Sequence, residues 1–64
     1  MKFKELRKGA KMTLAEVAAK IGVTDSAVAQ WESGATAPTA DKLVKLARMY
    51  SCTVDELLGA EEER

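Results

Sequence analysis

Apolar residues recur along this chain at intervals of three and four, the spacing that lays one stripe down the side of a helix. In TLAEVAAKIG the stripe is Leu14, Val17, Ala18 and Ile21. Thr13 before it and Glu16 three residues on form a capping box, and Gly22 is the expected left-handed stop. The same grammar repeats. MKFKELRKG gives a short first helix with Phe3 and Leu6 on one face, ending at Gly9. VTDSAVAQWESG runs from Thr24 as N-cap to Gly34 as stop. ATAPT is a loop, because Pro38 lacks a backbone donor and disfavours helix in the residue before it. ADKLVKLARMY is a fourth helix, capped by Thr39 and burying Leu43, Leu46 and Ala47. In TVDELLG, Thr53 and Glu56 repeat the capping box, Leu57 and Leu58 turn inward, and Gly59 ends the helix. No segment alternates as a strand would, and no internal repeat is present. The pattern predicts an all-α, compact domain of five short helices over residues 1–59, followed by an acidic segment, 60–64. That segment reads as a frayed, solvated tail or the cut end of a longer chain.

The third predicted helix differs from its neighbours. At about 100° per residue, Val28 and Trp31 point one way, whereas Ser26, Ala29, Gln30 and Ser33 point the other. Trp31 is expected to be a partly buried core anchor. The outer face has little to bury, so it is suited to being placed against a partner. Only Gly22-Val23-Thr24 joins this helix to the one before. So short a link forces two helices into contact at a steep angle, a helix-turn-helix over about 13–34. The small Ala18 allows close approach, and Val23 plugs the turn. Further along, Ser51 falls between the fourth and fifth helices, where a left-handed backbone would favour glycine.

Composition narrows the function. A single domain of 64 residues buries only about 60% of the surface of its unfolded chain, so its stability is modest. One cysteine, Cys52, and no histidine leave neither an internal disulfide nor a Cys/His zinc site. Cys52 reads as a small half-buried hydrophobe. A lone thiol without a signal-like apolar run suggests a reducing, cytoplasmic location, and no stretch approaches the roughly 18 apolar residues of a membrane span. With no histidine, metal cluster or phosphate-binding glycine loop, and little room for a pocket, catalysis, a cofactor or a small-molecule ligand within this chain is not expected. Ten basic and ten acidic side chains give a net charge of zero, whereas nucleic-acid binders usually carry a basic excess. Without residues 60–64 the balance is nine basic to seven acidic.

The chain resembles the lambda-repressor-like, Cro/Xre-type helix-turn-helix family. The resemblance is carried by Leu6-Arg7, TLAEVAAKIGVT (13–24), AVAQWESG (27–34), Pro38 and LVKLARMYSCTVDELL (43–58). In that family the third helix lies in the DNA major groove with its N-terminal residues at the base edges. The resemblance therefore implies base readout by Asp25, Ser26, Ala27 and Gln30. Gln30 can pair through both ends of its amide with adenine N6 and N7, Asp25 can accept from cytosine N4, and Ala27 offers a methyl contact to thymine. Thr24, with the N-terminal amides of the second helix, would hold phosphates. The family also pairs an arginine of the first helix with the glutamate before the glycine of the third, here Arg7 and Glu32, a structural ion pair.

Two departures thin the expected phosphate grip. The first residue of the second helix, often glutamine in relatives, is Leu14, and the loop after the third helix, often basic, is the uncharged ATAPT. Lys11, Lys42 and Lys45 remain as phosphate candidates. The resemblance implies a transcriptional regulator of double-stranded DNA, with repression the expected mode. It would act as a homodimer on a palindromic operator through contacts around Tyr50 and the DELLG helix. The alternative is an antitoxin-like or anti-repressor protein-interaction module on the same scaffold, favoured by the zero net charge and the bare loop.

Overall fold

A computed structural model describes residues 1–59 of the chain; the predicted acidic tail, 60–64, lies outside the described residues. The order is α1 (Phe3–Gly9), α2 (Leu14–Ile21), α3 (Asp25–Ser33), α4 (Ala40–Met49) and α5 (Val54–Leu58), with no strand among the described residues. The Cα radius of gyration is 10.7 Å, that of a compact domain of this length. Helix α2 packs on α3, α4 packs on α5 and α2, and α1 reaches across to both α3 and α5. No helix among the described residues is long and apolar enough to cross a membrane.

The core is built from the predicted stripes. Leu46, Leu57, Val17 and Val28 are fully buried, each such side chain contributing about 1.5–3 kcal/mol. Phe3, Ala18, Ile21, Trp31 and Ala47 complete it. Trp31 goes deeper than expected, with only 6% of its surface exposed. Leu14, Leu43 and Leu58 are half-buried against the core rather than inside it. Leu14 and Leu58 are end residues of α2 and α5, where a small core runs out of neighbours, and Leu43 is the fourth residue of α4, one turn before the buried Leu46 and Ala47.

The capping boxes of α2 and α5 form in full. In each, the threonine hydroxyl accepts the N–H of the glutamate three residues on, whose carboxylate accepts the threonine N–H. These bonds hold the Glu16 carboxyl below its ordinary range. Thr39 departs from the expectation. It occupies the N-cap position of α4, but its hydroxyl donates to the Asp41 carboxylate at 2.6 Å and accepts no backbone N–H. The short bond to a charged acceptor fixes the orientation of that hydroxyl, and residue 42 is lysine, so no box can close.

Two non-glycine residues have positive φ, Lys11 at 57° and Ser51 at 54°. Ser51 lies where the left-handed backbone was expected. Its N–H donates to the Arg48 carbonyl and the next N–H, of Cys52, to Ala47, so the turn joining α4 to α5 depends on that conformation. Lys11 was not foreseen. Gly9, which drew attention as the end of the first helix, has an ordinary negative φ, and the strain falls two residues later.

Left-handed serine carries a Cβ penalty that glycine escapes. Ser51→Gly is therefore expected to stabilise the domain by about 1 kcal/mol, raising its thermal midpoint by roughly 4–8 °C. An unchanged midpoint would show that the added freedom of the unfolded glycine cancels the relief.

Candidate nucleic-acid interface

Helix α3 begins where Thr24 turns extended and its hydroxyl accepts the Ala27 N–H at 3.1 Å. The turn before it is tight. Gly22 takes φ +87°, and both its N–H and that of Val23 donate to the Ala18 carbonyl, at 2.8 and 3.0 Å. A Cβ at Gly22 would meet nothing within 4 Å, so backbone conformation rather than space calls for glycine there. Val23 is half-buried against the core beneath this turn. Val28 and Trp31 fix the inner side of α3, and Gly34 ends it in the left-handed region.

The far end is held by charge. Arg7 Nε donates to Glu32 Oε2 at 2.6 Å and its NH2 to Oε1 at 3.1 Å, a two-pronged pair, while NH1 donates to the Met12 carbonyl at 3.0 Å. The side chains are only 12% and 9% exposed, so solvent screens the pair little. The hydrogen bonds that Arg7 donates to Glu32 raise its pKa further above an already high value, and the guanidinium stays charged. One side chain thereby joins α1, the α1–α2 connection and the C-terminal turn of α3. Tyr50, expected in a dimer contact, is half-buried against the core. Burial first, and then the charge of Glu32, push its phenol up to about 12.

Asp25, Ser26, Ala29, Gln30 and Ser33 share the exposed side of α3. Ser33 is engaged, its hydroxyl donating to the Gln30 carbonyl at 3.0 Å, and the Ala35 N–H donates to the same carbonyl. Gln30 thus has a pinned backbone behind an exposed amide. Ala27 does not belong fully to this face: it is half-buried and packs against the core, because position 27 lies one turn from Trp31 on the inner side. Ala29, not singled out as a base reader, presents its methyl group instead. The six-residue register from Asp25 to Gln30 already carried that signal, since Ala29 falls between the two polar positions.

The phosphate candidates are more dispersed. Thr24 accepts with its hydroxyl oxygen, which leaves its proton to donate outward. Lys11 is exposed just before α2, and Lys45 is exposed on α4. Lys42 is half-buried and close enough to Asp41 to help hold that carboxyl below its ordinary range, second to the Thr39 hydrogen bond among the groups that do so. Its charge is partly matched within the protein. No group of three His, Cys, Asp or Glu residues among the described ones is placed to hold a metal.

Comparison with known proteins gives a consistent set. A helix-turn-helix family model matches residues 3–57. The chain is 39% identical to the uncharacterized HTH-type transcriptional regulator YobD of Bacillus subtilis, across 97% of this chain and 55% of that protein. It is 38% identical to the cryptic phage CTXphi transcriptional repressor RstR of Vibrio cholerae, across 92% and 56%. It is 36% identical to the HTH-type transcriptional activator BcrR of Enterococcus faecalis, across 95% and 30%. The chain therefore spans about half the length of two of these relatives and less of the third. No solved structure gives a significant match.

Breaking one partner of a partly buried pair leaves a stranded charge, which costs more than removing both. Arg7→Leu is expected to destabilise by about 3 kcal/mol, and Arg7→Leu with Glu32→Leu by clearly less, as read from urea unfolding of the full cycle. Additive losses would mean that the two groups act independently.

Proposed function

The chain belongs to the helix-turn-helix family, and from that premise we propose that it is a sequence-specific regulator of transcription that binds double-stranded DNA with α3 in the major groove. The observation that carries this reading is the construction of α3: a polar outer face with nothing of its own to bury, fixed from behind by Val28, Trp31 and the Arg7–Glu32 pair. Rigid mounting is what base readout needs, since a bidentate contact tolerates little displacement.

In this reading Gln30 spans adenine N6 and N7, Asp25 and Ser26 contact neighbouring base edges, and Ala27 touches a thymine methyl with the part of its surface left outside. The Thr24 hydroxyl and the free amides at the start of α2 take phosphate oxygens. Lys11 adds charge beside them, Lys45 and Lys42 from α4. A single domain with so few cations binds weakly. A homodimer formed through the C-terminal helices would add a second half-site about 34 Å away, and the operator would be palindromic. Repression follows from occupancy of such a site, and the cytoplasm is the matching location. Nothing in the mechanism calls for catalysis.

A second reading has one observation in its favour. The exposed stretch 34–37 after α3 is uncharged, which suits contact with a protein partner on the antitoxin or anti-repressor pattern. Salt separates the two, because DNA binding releases counterions and weakens steeply as salt rises, while an apolar protein interface barely responds.

Selection of duplexes from a random pool at low salt is expected to return a palindromic motif with wild-type protein. With Gln30→Ala the motif should relax at an adenine worth about 1–3 kcal/mol. No enrichment at low salt would overturn the DNA reading and favour the protein partner. Lys11 offers a sharper contrast, since its left-handed backbone costs stability that glycine would spare, whereas its charge serves only the phosphate contact. Lys11→Gly is expected to gain about 1 kcal/mol of stability while lowering the salt slope of DNA binding by about one unit. A gain in stability with an unchanged slope would remove Lys11 from the phosphate contacts.

A further inference from the structure

A carboxylate and a guanidinium in open water hold each other weakly, because solvent and salt screen them. The pair that mounts α3 is not in open water, since the Arg7 and Glu32 side chains are only 12% and 9% exposed. Something has to cover them. Of the three aromatic residues in the chain, Phe3 and Trp31 lie inside the core. Tyr50 is the half-buried one, and it is close enough to feel the charges of both Glu32 and Arg7.

The backbone holds Tyr50 firmly. It closes α4 with its N–H donated to the Leu46 carbonyl at 2.9 Å, and the next two N–H groups, of Ser51 and Cys52, donate to Arg48 and Ala47 at 3.2 and 2.9 Å. The positive φ of Ser51 ends the helix immediately after it. The side chain packs against the core, yet no hydrogen bond takes its hydroxyl among the described residues, where no buried polar side-chain atom lacks a partner. The hydroxyl therefore stands on the water side and the ring on the protein side, an apolar body with a polar tip. A phenol raised to about 12 stays neutral, so it brings no second negative charge beside Glu32.

Resting on the DNA-binding reading of α3, we infer that Tyr50 is a positioning residue for that helix: the turn between α4 and α5 holds its ring over the Arg7–Glu32 fork, the ring keeps water from the fork, and the dry fork fixes the orientation in which α3 meets DNA. Tyr50 touches neither base nor phosphate in this scheme and acts only through the pair. Helix α3 packs chiefly on α2 and α1, so this side chain extends its support to the α4–α5 half of the domain. The competing role is plain filling of the core margin, as Leu43 and Leu58 do. Filling predicts a loss of stability that is the same whether or not the ion pair is there.

The test compares Tyr50→Phe, Tyr50→Leu and Tyr50→Ala, each alone and combined with Arg7→Leu and Glu32→Leu. Urea unfolding is measured for all of them. Binding to a duplex selected by wild type is measured where each protein is folded, and the exchange of the Arg7 Nε proton with water is followed by NMR wherever Arg7 is present. Tyr50→Ala is expected to speed that exchange and to weaken binding, each by about tenfold. Tyr50→Phe, which keeps the ring, should hold both within about twofold of wild type. Where the ion pair has been replaced, Tyr50→Ala should cost no further affinity. Tyr50→Leu keeps apolar volume and should act in the same direction to a smaller extent, which preserves the test if Tyr50→Ala does not fold. Unchanged exchange and affinity in both Tyr50→Ala and Tyr50→Leu, with only the unfolding midpoint lowered, overturns the inference and leaves Tyr50 as filling. Equal affinity losses with and without the pair overturn it too, as does Tyr50→Phe behaving like Tyr50→Ala. Wild type that enriches no duplex overturns the DNA reading itself, an outcome distinguishable because the proton exchange and the unfolding cycle still report whether the ring covers the pair.

Discussion

The guanidinium of Arg7 bonds to both carboxylate oxygens of Glu32 and to the Met12 carbonyl, and through it α1, the α1–α2 connection and the C-terminal turn of α3 are tied to one another. A helix of nine residues is too short to persist alone in water. Its apolar side buries Val28 and Trp31 in the core with Ala27 packed beside them, so packing holds it chiefly along one line. The fork supplies the second constraint. Two parallel N–H···O bonds to a planar carboxylate fix direction as well as distance. The third bond anchors the fork to the backbone just before α2, and a shift of α3 would therefore have to break charge-assisted bonds in a poorly solvated place.

The same economy explains how a chain of zero net charge can present a surface suited to a polyanion. What matters is where charge is unmatched. Glu32 is matched by Arg7, Glu16 and Glu56 are drawn into capping boxes, and Asp41 is held by Thr39 and near Lys42. Several acids are thus committed to local structure, while Lys11 and Lys45 remain exposed. Asp25 runs against this arrangement, an exposed acid at the start of α3.

Local rules that depend on neighbouring residues were legible from the chain. The caps at Thr13, Thr24 and Thr53, the left-handed stops at Gly22, Gly34 and Gly59, and the strained Ser51 each follow from a few consecutive side chains and their backbone donors. Helical spacing also separated Val28 and Trp31 from Ser26 and Gln30. It failed where competition decides. Thr39 looked like a cap until Asp41 took its hydroxyl, and Lys11 adopts a positive φ that its side chain gives no reason to expect.

By itself, then, the sequence determined an all-helical chain, five helices with their boundaries, a three-residue turn and a third helix with one face left polar. These are short-range consequences of hydrogen-bond supply and of a 3.6-residue period. Tertiary structure decided which half-apolar positions fall inside: Ala27 turns to the core, Leu43 and Leu58 stay at its margin, and Tyr50 settles half-buried close to the Arg7–Glu32 pair. It also brought Arg7 across 25 positions to Glu32 and gave it the Met12 carbonyl as a third partner. Those outcomes depend on how much volume and charge several helices bring to one place, a sum over distant residues that no local pattern contains.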